Sequence, residues 1–404
     1  MVNGLAVWMY GRRIGTLGRE RRKLSFSYTR EALQLGVGLP LLSVSMPTQA
    51  RTYRHEVTSA FFEGLLPEGE AREIIAYDFG IRSSDVFALL SALGRDCAGA
   101  LIVVPEEEAP SAEGLPESIT DAEVAERLRN LRSAPLGVDQ RVRVSLAGLQ
   151  GKLLLSRLSN GWGLPIDGAP STHIIKPPHA SFEEMIPNEY LCMRFAHHLG
   201  LQVAEVETGE FNELPVLIIR RYDREDDNEG HRIRIHQEDF CQAHALGAAR
   251  KYEDKGGPSL RSCAEILKRW ARGPEQLYRL LDTASLNVLV GNADAHAKNL
   301  SLLHSRSGEI TLAPAYDILS TAYYGNVSTT PGMFIDGVRN INAIHRDELV
   351  REATVWGLSE KVARERVEDI FAKAKMALEA ATEETEPPQK LATSLRKRVR
   401  YLTR

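Results

Sequence analysis

Alternation of apolar and polar positions dominates the start of the chain. Leu5-Ala-Val-Trp-Met-Tyr10, Arg13-Ile-Gly-Thr-Leu17 and Lys23-Leu-Ser-Phe-Ser-Tyr28 are short β-prone runs separated by glycine and charged turns, which predicts a small antiparallel meander. The period then lengthens. Phe61 to Leu66, Ala71 to Phe79 and Ser84 to Leu93 read as helices, and Cys97 to Pro105 as a strand. Thr120-Asp-Ala-Glu123 fits a capping box, in which a threonine hydroxyl and a glutamate three residues on satisfy each other's backbone N–H groups at a helix start. Arg141 to Ser145, Lys152 to Ser156, Thr172 to Lys176 and Pro215 to Arg220 predict strands, with Asn188 to Leu199 a helix ended by Gly200. Glu225 to Gly230 followed by His231-Arg-Ile-Arg-Ile-His236 predicts a further hairpin. From Glu238 onward helical spacing prevails, and Ser359 can cap a helix whose Val362, Val367, Ile370, Phe371, Ala374 and Leu378 share a core-facing stripe.

Composition sets boundaries within this pattern. Glu106-Glu-Glu-Ala-Pro-Ser-Ala-Glu-Gly114 is acidic and carries Pro and Gly, as linkers do, so the expected division is 1–108, 118–237 and 238–404. The expected class is α+β, with a β-rich first part, a nucleotide-binding lobe and a mainly helical last part. The 404 residues, 43% hydrophobic and 26% charged, suit a soluble globular protein. A net charge of −4 speaks against general nucleic-acid binding, which needs a basic surface. The basic end from Pro387 to Arg404 reads either as a solvated helix end or as a contact for an acidic partner or DNA. Cys97, Cys192, Cys241 and Cys263 have no C-x-x-C spacing and suggest neither zinc nor a disulfide framework. The first residues lack signal-peptide polarity, and no run of roughly 18 apolar residues occurs, so a cytoplasmic protein without a membrane span is expected.

The densest chemistry lies in Gly291-Asn-Ala-Asp-Ala-His-Ala-Lys-Asn299, followed 23 residues after Asp294 by Asp317. An acid, an amide five residues later and a second acid downstream is the spacing with which kinase-type sites orient a hydroxyl and hold Mg²⁺ around a transferring phosphate. Asp294 can take the acceptor proton; Asn299 and Asp317 offer hard oxygen ligands. Helix capping by Asp294 and Asn299 is the plain alternative. His296 can stabilise the loop, accept a proton, or ligate a metal with Asp294 and Asp317 in a hydrolase. Lys298 can offset phosphate charge, or simply be exposed. Lys176, at the end of a β-branched strand, is a candidate cation for nucleotide phosphates, and Glu189 a candidate partner for it. Val144-Ser-Leu-Ala-Gly-Leu-Gln-Gly-Lys152 can fold over phosphates through backbone N–H groups or be a plain hairpin, since it lacks the Walker spacing. Phosphorylation of Ser145 there would add negative charge that repels ATP.

Taken together, the motifs resemble those of the HipA family of serine/threonine kinase toxins. The resemblance is carried, in order, by Phe61-Phe-Glu-Gly-Leu-Leu-Pro67, Leu93-Gly-Arg-Asp-Cys-Ala-Gly99, Ser145-Leu-Ala-Gly-Leu-Gln150, His173-Ile-Ile-Lys176, Asn188-Glu-Tyr190, Arg221-Tyr-Asp-Arg224, Gln237-Glu-Asp-Phe-Cys-Gln242, Lys251-Tyr-Glu253, Asp294-Ala-His-Ala-Lys-Asn299 and Tyr316-Asp-Ile318. It implies a two-lobed protein-kinase-like fold, Asp294 as the catalytic acid-base residue, Asn299 and Asp317 as Mg²⁺ ligands and Lys176 at the ATP phosphates. Ala147 and Gly148 fall in its phosphate loop, His296 and Lys298 in its catalytic loop, and Arg220, Tyr222 and Asp223 in its adenine-binding hinge segment. Ser145 matches an autophosphorylated serine whose modification silences the kinase. The implied substrate is an aminoacyl-tRNA synthetase, and the implied partner is a HipB-like helix-turn-helix antitoxin that carries the complex onto operator DNA. Two other functions stay open at this stage: a catalytically weak partner of the antitoxin, and a lipid or small-molecule kinase.

Overall fold

The computed structural model describes residues 4–110, 114–226 and 232–404. Part of the acidic linker (111–113) and most of the loop before His236 (227–231) lie outside the described residues. The chain divides into two compact units, each assembled from segments distant in sequence. Residues 1–177, 209–248 and 303–308 make the first, and residues 178–208, 249–302 and 309–404 the second.

The first unit opens with the predicted meander. Strands β1 (Gly4–Met9), β2 (Arg12–Glu20), β3 (Lys23–Tyr28) and β4 (Leu101–Pro105) form a sheet in the order β3-β2-β1-β4. Period-2 spacing puts Leu24, Phe26 and Tyr28 on one buried face. Against that face packs Phe62 of helix His55–Glu63, in ring contact with Phe26 and with its neighbour Phe61. Each such side chain withdrawn from water contributes about 1.5–3 kcal/mol. A second sheet is built from β5 (Glu117–Ile119), β6 (Leu153–Arg157), β7 (Trp162–Leu164), β8 (His173–Lys176), β9 (Val206–Phe211) and β10 (Leu214–Arg220), in the order β5-β7-β6-β8-β10-β9. The capping box forms as expected, with Thr120 Oγ1 accepting from Glu123 N and Glu123 accepting from Thr120 N. Arg224–Asp226 and Arg232–Arg234 pair as the expected hairpin.

One predicted strand does not form. Between Arg141 and Ser145 only isolated bridges exist, Val142 with Ile166 and Val144 with Asp96. Val142, Val144 and Ser145 are buried, so the apolar alternation is real, but it serves packing beneath a loop and not a sheet ladder.

The second unit is helical. Helix Glu360–Thr385 is its axis, with Met185–His198, Glu275–Val290, Arg346–Val355 and Gln389–Leu402 packed on it or on one another. Ser359 caps the axis by accepting from Val362 N, and Ala363, Val367, Ile370, Phe371, Ala374 and Leu378 are its buried stripe. The basic end of the chain is a core helix. Leu391, Leu395, Val399 and Leu402 are buried, Arg396 pairs with Glu379, and Arg398 donates to the carbonyls of Val288 and Ile341. Burial lowers the Arg398 pKa to about 10. All four cysteines are buried free thiols. Among the described residues no helix is long and apolar enough to cross a membrane.

Candidate active site

In the second unit, helix Glu275–Val290 presents the Asp294 loop. It stops at Gly291 in the left-handed region (φ 74°), whose N–H donates to Asn287 O. A side chain there would meet Ala322 and Arg398 at 2.8 Å, so both the turn and its surroundings need glycine. Asn292 then fixes the next step. Its amide donates to Asn287 Oδ1 at 2.9 Å and its Oδ1 accepts from Asp294 N at 3.1 Å. Three further bonds pin the loop from outside: Ala293 N to Thr321 Oγ1 at 2.7 Å, Gly332 N to Ala293 O at 2.8 Å, and Ala297 N to Lys251 O at 3.1 Å.

Asp294 caps no helix. Its Oδ1 accepts from the Tyr252 hydroxyl at 2.8 Å, and the short 3-10 turn Ala297–Asn299 has no side-chain cap. Asn299 donates its amide N–H to the Asp294 carbonyl at 3.2 Å, which orients its amide oxygen as the other polar atom. His296, Asn299 and Asp317 line one cavity of this unit with Asn292, Ala315 and Tyr316. Asp317 is held there in the left-handed region (φ 57°), a conformation uncommon outside glycine, asparagine and aspartate. Its neighbours are tied on both sides, Ala315 N to Gln202 O at 2.9 Å and Tyr316 Oη to Lys298 O at 2.7 Å.

Electrostatics follow from this packing. Asp294 reaches solvent, yet the protein crowded around it raises its pKa; the Tyr252 bond opposes the rise and the charge of Asp317 adds to it. His296 is 5% exposed, and burial, helped by Lys251, lowers its pKa to about 3. It is therefore neutral, its Nδ1 has no hydrogen-bond partner, and its ring meets that of Tyr252 edge-on at 5.1 Å. Lys298 is buried, not exposed. The donor set fits a hard cation: an amide oxygen and a carboxylate on one cavity, beside a second carboxylate whose pKa is raised chiefly by burial and further by the charge of Asp317. Among the described residues no group of three or more His, Cys, Asp or Glu is placed to hold a metal ion, so Asp294, His296 and Asp317 do not form a hydrolase-type centre.

The remaining candidates lie in the first unit. Lys176 ends β8, 5% exposed and opposite Leu217 of β10, while Arg220 stands opposite His173. Ser145 is fully buried; its N–H donates to Asp96 O at 2.9 Å and its hydroxyl to Leu65 O at 2.7 Å. Across the loop that follows, Lys152 Nζ donates to Ala147 O at 2.9 Å, and Gly148 sits at φ 114°, a conformation that side-chain-bearing residues rarely adopt. Tyr222 donates its hydroxyl to Gln237. Asp223, expected at the nucleotide, instead has both oxygens engaged by protein donors: Arg221 at 2.8 and 2.9 Å, Gly99 N at 2.7 Å and Gln237 at 3.0 Å. Its oxygens tie together Arg221, Gly99 and Gln237 and are not turned to a surface.

The sequence reading assigned no role to Tyr252, Lys152, Asn292 or Gly332. Lys251-Tyr-Glu253 entered it only as part of a resemblance, because a contact spanning 42 residues leaves no local spacing.

Comparison with known proteins accounts for both units. Residues 5–104 match the HipA N-terminal domain and residues 144–378 the HipA-like C-terminal domain. The chain belongs to the HipA family. It is 37% identical over 392 residues to the putative kinase Y4mE of Sinorhizobium fredii, covering 95% of this chain and 93% of that one. It is 31% identical over 340 residues to the serine/threonine-protein kinase toxin HipA of Shewanella oneidensis, covering 80% and 76%. The structure of Shewanella oneidensis HipA, solved with HipB and its operator DNA, matches with a TM-score of 0.86 at 26% identity, over 99% of this chain and 96% of that one. The fold is therefore the HipA kinase-like α+β fold, and the relatives named as kinases support kinase activity in general.

Proposed function

We propose that this protein is a HipA-type serine/threonine protein kinase toxin of the cytoplasm. On this reading it uses ATP and Mg²⁺ to phosphorylate an aminoacyl-tRNA synthetase and so inhibits translation. Autophosphorylation at Ser145 switches it off, and a HipB-like antitoxin neutralises it and brings it to operator DNA. Residues 1–108, 118–237 and 238–404 are then its N-terminal subdomain, nucleotide-binding lobe and catalytic lobe. The observation that carries the reading is a loop, pinned by three bonds from outside, that carries Asp294 and Asn299, with Asn299 and Asp317 of a separate segment on one cavity.

Each residue has a task set by its chemistry. Asp294 orients the acceptor hydroxyl and takes its proton; its raised pKa suits an acceptor of protons near neutrality better than an ordinary carboxylate would. Asn299 and Asp317 would hold Mg²⁺, which when bound with ATP neutralises charge on the transferring phosphate. Lys176 and the backbone of Ala147 and Gly148 would contact the phosphates, the segment Arg220–Tyr222 the adenine, and Lys298 would contribute positive charge from within the loop. The neutral His296 fills the loop's interior.

The test is phosphate incorporation into the purified chain and into a panel of aminoacyl-tRNA synthetases, with ATP and Mg²⁺, for the wild type and Asp294→Asn. The variant should lose roughly 10²–10⁴-fold in rate. Equal incorporation by both proteins sinks the kinase assignment, and incorporation into lipid or metabolite alone moves it to another acceptor class.

A further inference from the structure

The Tyr252 hydroxyl donates to Asp294 Oδ1 at 2.8 Å, and neither the fold nor the proposed division of labour uses it. We infer that Tyr252 is a positioning residue for the phosphoryl transfer, holding one oxygen of Asp294 so that the other faces the acceptor hydroxyl. The inference rests on the kinase reading of the Asp294 loop and adds to it a residue outside the D-x-H-x-x-N segment.

Three observations carry it. An aspartate carboxylate rotates easily about its last torsion, which has broad wells, so a reactive oxygen needs an external anchor to stay aimed. Asn292 and Asn299 hold only its backbone N–H and carbonyl, and Tyr252 holds the carboxylate itself. Second, Tyr252 is itself fixed. Its ring stands edge-on to His296 with centroids 5.1 Å apart, and the ammonium groups of Lys251 and Lys255 lie 5.5 and 5.1 Å from its centroid. Third, the segment carrying it is built for close approach. Gly257 N donates to Tyr252 O at 2.9 Å, and a side chain at Gly257 would meet the Arg250 and Tyr252 carbonyls at 2.2 and 2.6 Å. Glu253 fastens the same segment to the strip that touches the Asp294 loop: its N–H donates to Gly332 O at 2.9 Å, and its carboxylate accepts from Phe334 N at 2.7 Å. Gly332 in turn leaves only 2.8 Å between its missing Cβ and the backbone of Ala295 and His296. Tyr252 and Asp294 are thus two points on one tightly fastened frame, and a fixed donor on a reacting carboxylate is how such frames raise the fraction of productive encounters.

The experiment compares wild type, Tyr252→Phe, Asp294→Asn and the double variant. It measures the rate of phosphate incorporation into the chain across ATP concentrations at fixed Mg²⁺, together with melting temperature. Tyr252→Phe keeps the ring and removes only the hydroxyl. It should lower the saturated rate about tenfold, leave the half-saturating ATP concentration within about twofold, and leave melting unchanged. In the Asp294→Asn background the same change should have no further effect, since a group acting through Asp294 is silent once the carboxylate is gone. A saturated rate within twofold of wild type overturns the inference. So does an equal loss in both backgrounds, and so does a rate that rises, which would make the hydroxyl a competitor of the acceptor. A wild type that transfers no phosphate defeats the kinase reading and this inference together; a wild type that transfers, matched by Tyr252→Phe, defeats the inference alone.

Discussion

Two pairs of acids in this chain receive opposite treatment. Asp96 and Asp223, in the first unit, are both 1% exposed or less and surrounded by cations. Asp96 accepts from Arg224 at 2.9 Å, Arg234 at 3.1 Å and Ser171 at 2.6 Å, while Arg221 and Arg224 pair with Asp223. Burial alone would raise both pKa values, but the guanidinium groups outweigh it, holding Asp96 far below the usual carboxylate range and Asp223 at about 2. Asp294 and Asp317, in the second unit, repel one another, and the pKa of Asp294 goes up, chiefly through burial and further through that repulsion. Acids enclosed by guanidinium groups serve architecture, whereas an acid raised by burial and a neighbouring like charge is placed for chemistry.

The sharpest way to break this contrast is to remove one acid from each pair and read stability. Asp96→Asn removes the acid shared by Arg224 and Arg234 and leaves only Asp223 to face the arginines of this buried cluster, and breaking a buried ion network from one side costs about 3–5 kcal/mol. It also disturbs the segment whose Asp96 carbonyl holds Ser145 N. Asp294→Asn, at a solvent-reaching position, should change stability by no more than about 0.5 kcal/mol. Urea unfolding with unchanged slope would show both. Similar costs for the two variants would erase the distinction.

The contrast also marks what was legible in the chain. The Asp294 site could be read because its members lie within six residues of one another, with Asp317 close downstream, and hard-ligand chemistry restricts the residue types. The meander, the capping box at Thr120 and the Ser359 helix were equally local, fixed by period and by reciprocal hydrogen bonds. The Asp96 cluster could not be read. Its members are separated by up to 138 residues, and nothing in the alternation Arg232-Ile-Arg234 tells that one guanidinium turns inward to an acid. The same blindness placed Asp223 at the nucleotide and turned buried Val142 and Val144 into a strand. Burial was inferred correctly there, but not the partner that satisfies the backbone.

Acid titration separates the two pairs by sign. Asp223 is depressed from 3.8 to about 2, so its contribution is complete above pH 4 and disappears as pH falls toward 2. That contribution is on the order of 2 kcal/mol for a shift of this size. Asp294 is raised, so its ionisation opposes folding as pH climbs through the folded-state value, and the opposition vanishes below pH 4. Unfolding midpoints between pH 2 and pH 7 should therefore converge toward the acid end for wild type and each variant. Asp223→Asn should approach wild type from below, and Asp294→Asn from slightly above. Parallel curves for Asp223→Asn would mean that its carboxylate is not the species the arginines hold.

The smallest effect lies between the two pairs in character. Ser145 is as enclosed as Asp96, but a neutral hydroxyl donating to the Leu65 carbonyl contributes only about 1 kcal/mol. Ser145→Ala should lower the unfolding free energy from urea titration by that amount and no more, because its N–H stays on the Asp96 carbonyl. A phosphate in the same place has only acceptor oxygens to offer the Leu65 carbonyl, so phosphorylated Ser145 cannot keep this seat. The phosphorylated chain should consequently expose residues 145–152 to limited proteolysis while Ser145→Ala resists it as the wild type does. Equal protection of the two would mean that the enclosed hydroxyl is packing alone, and the closed character of the first unit would then extend to its loop.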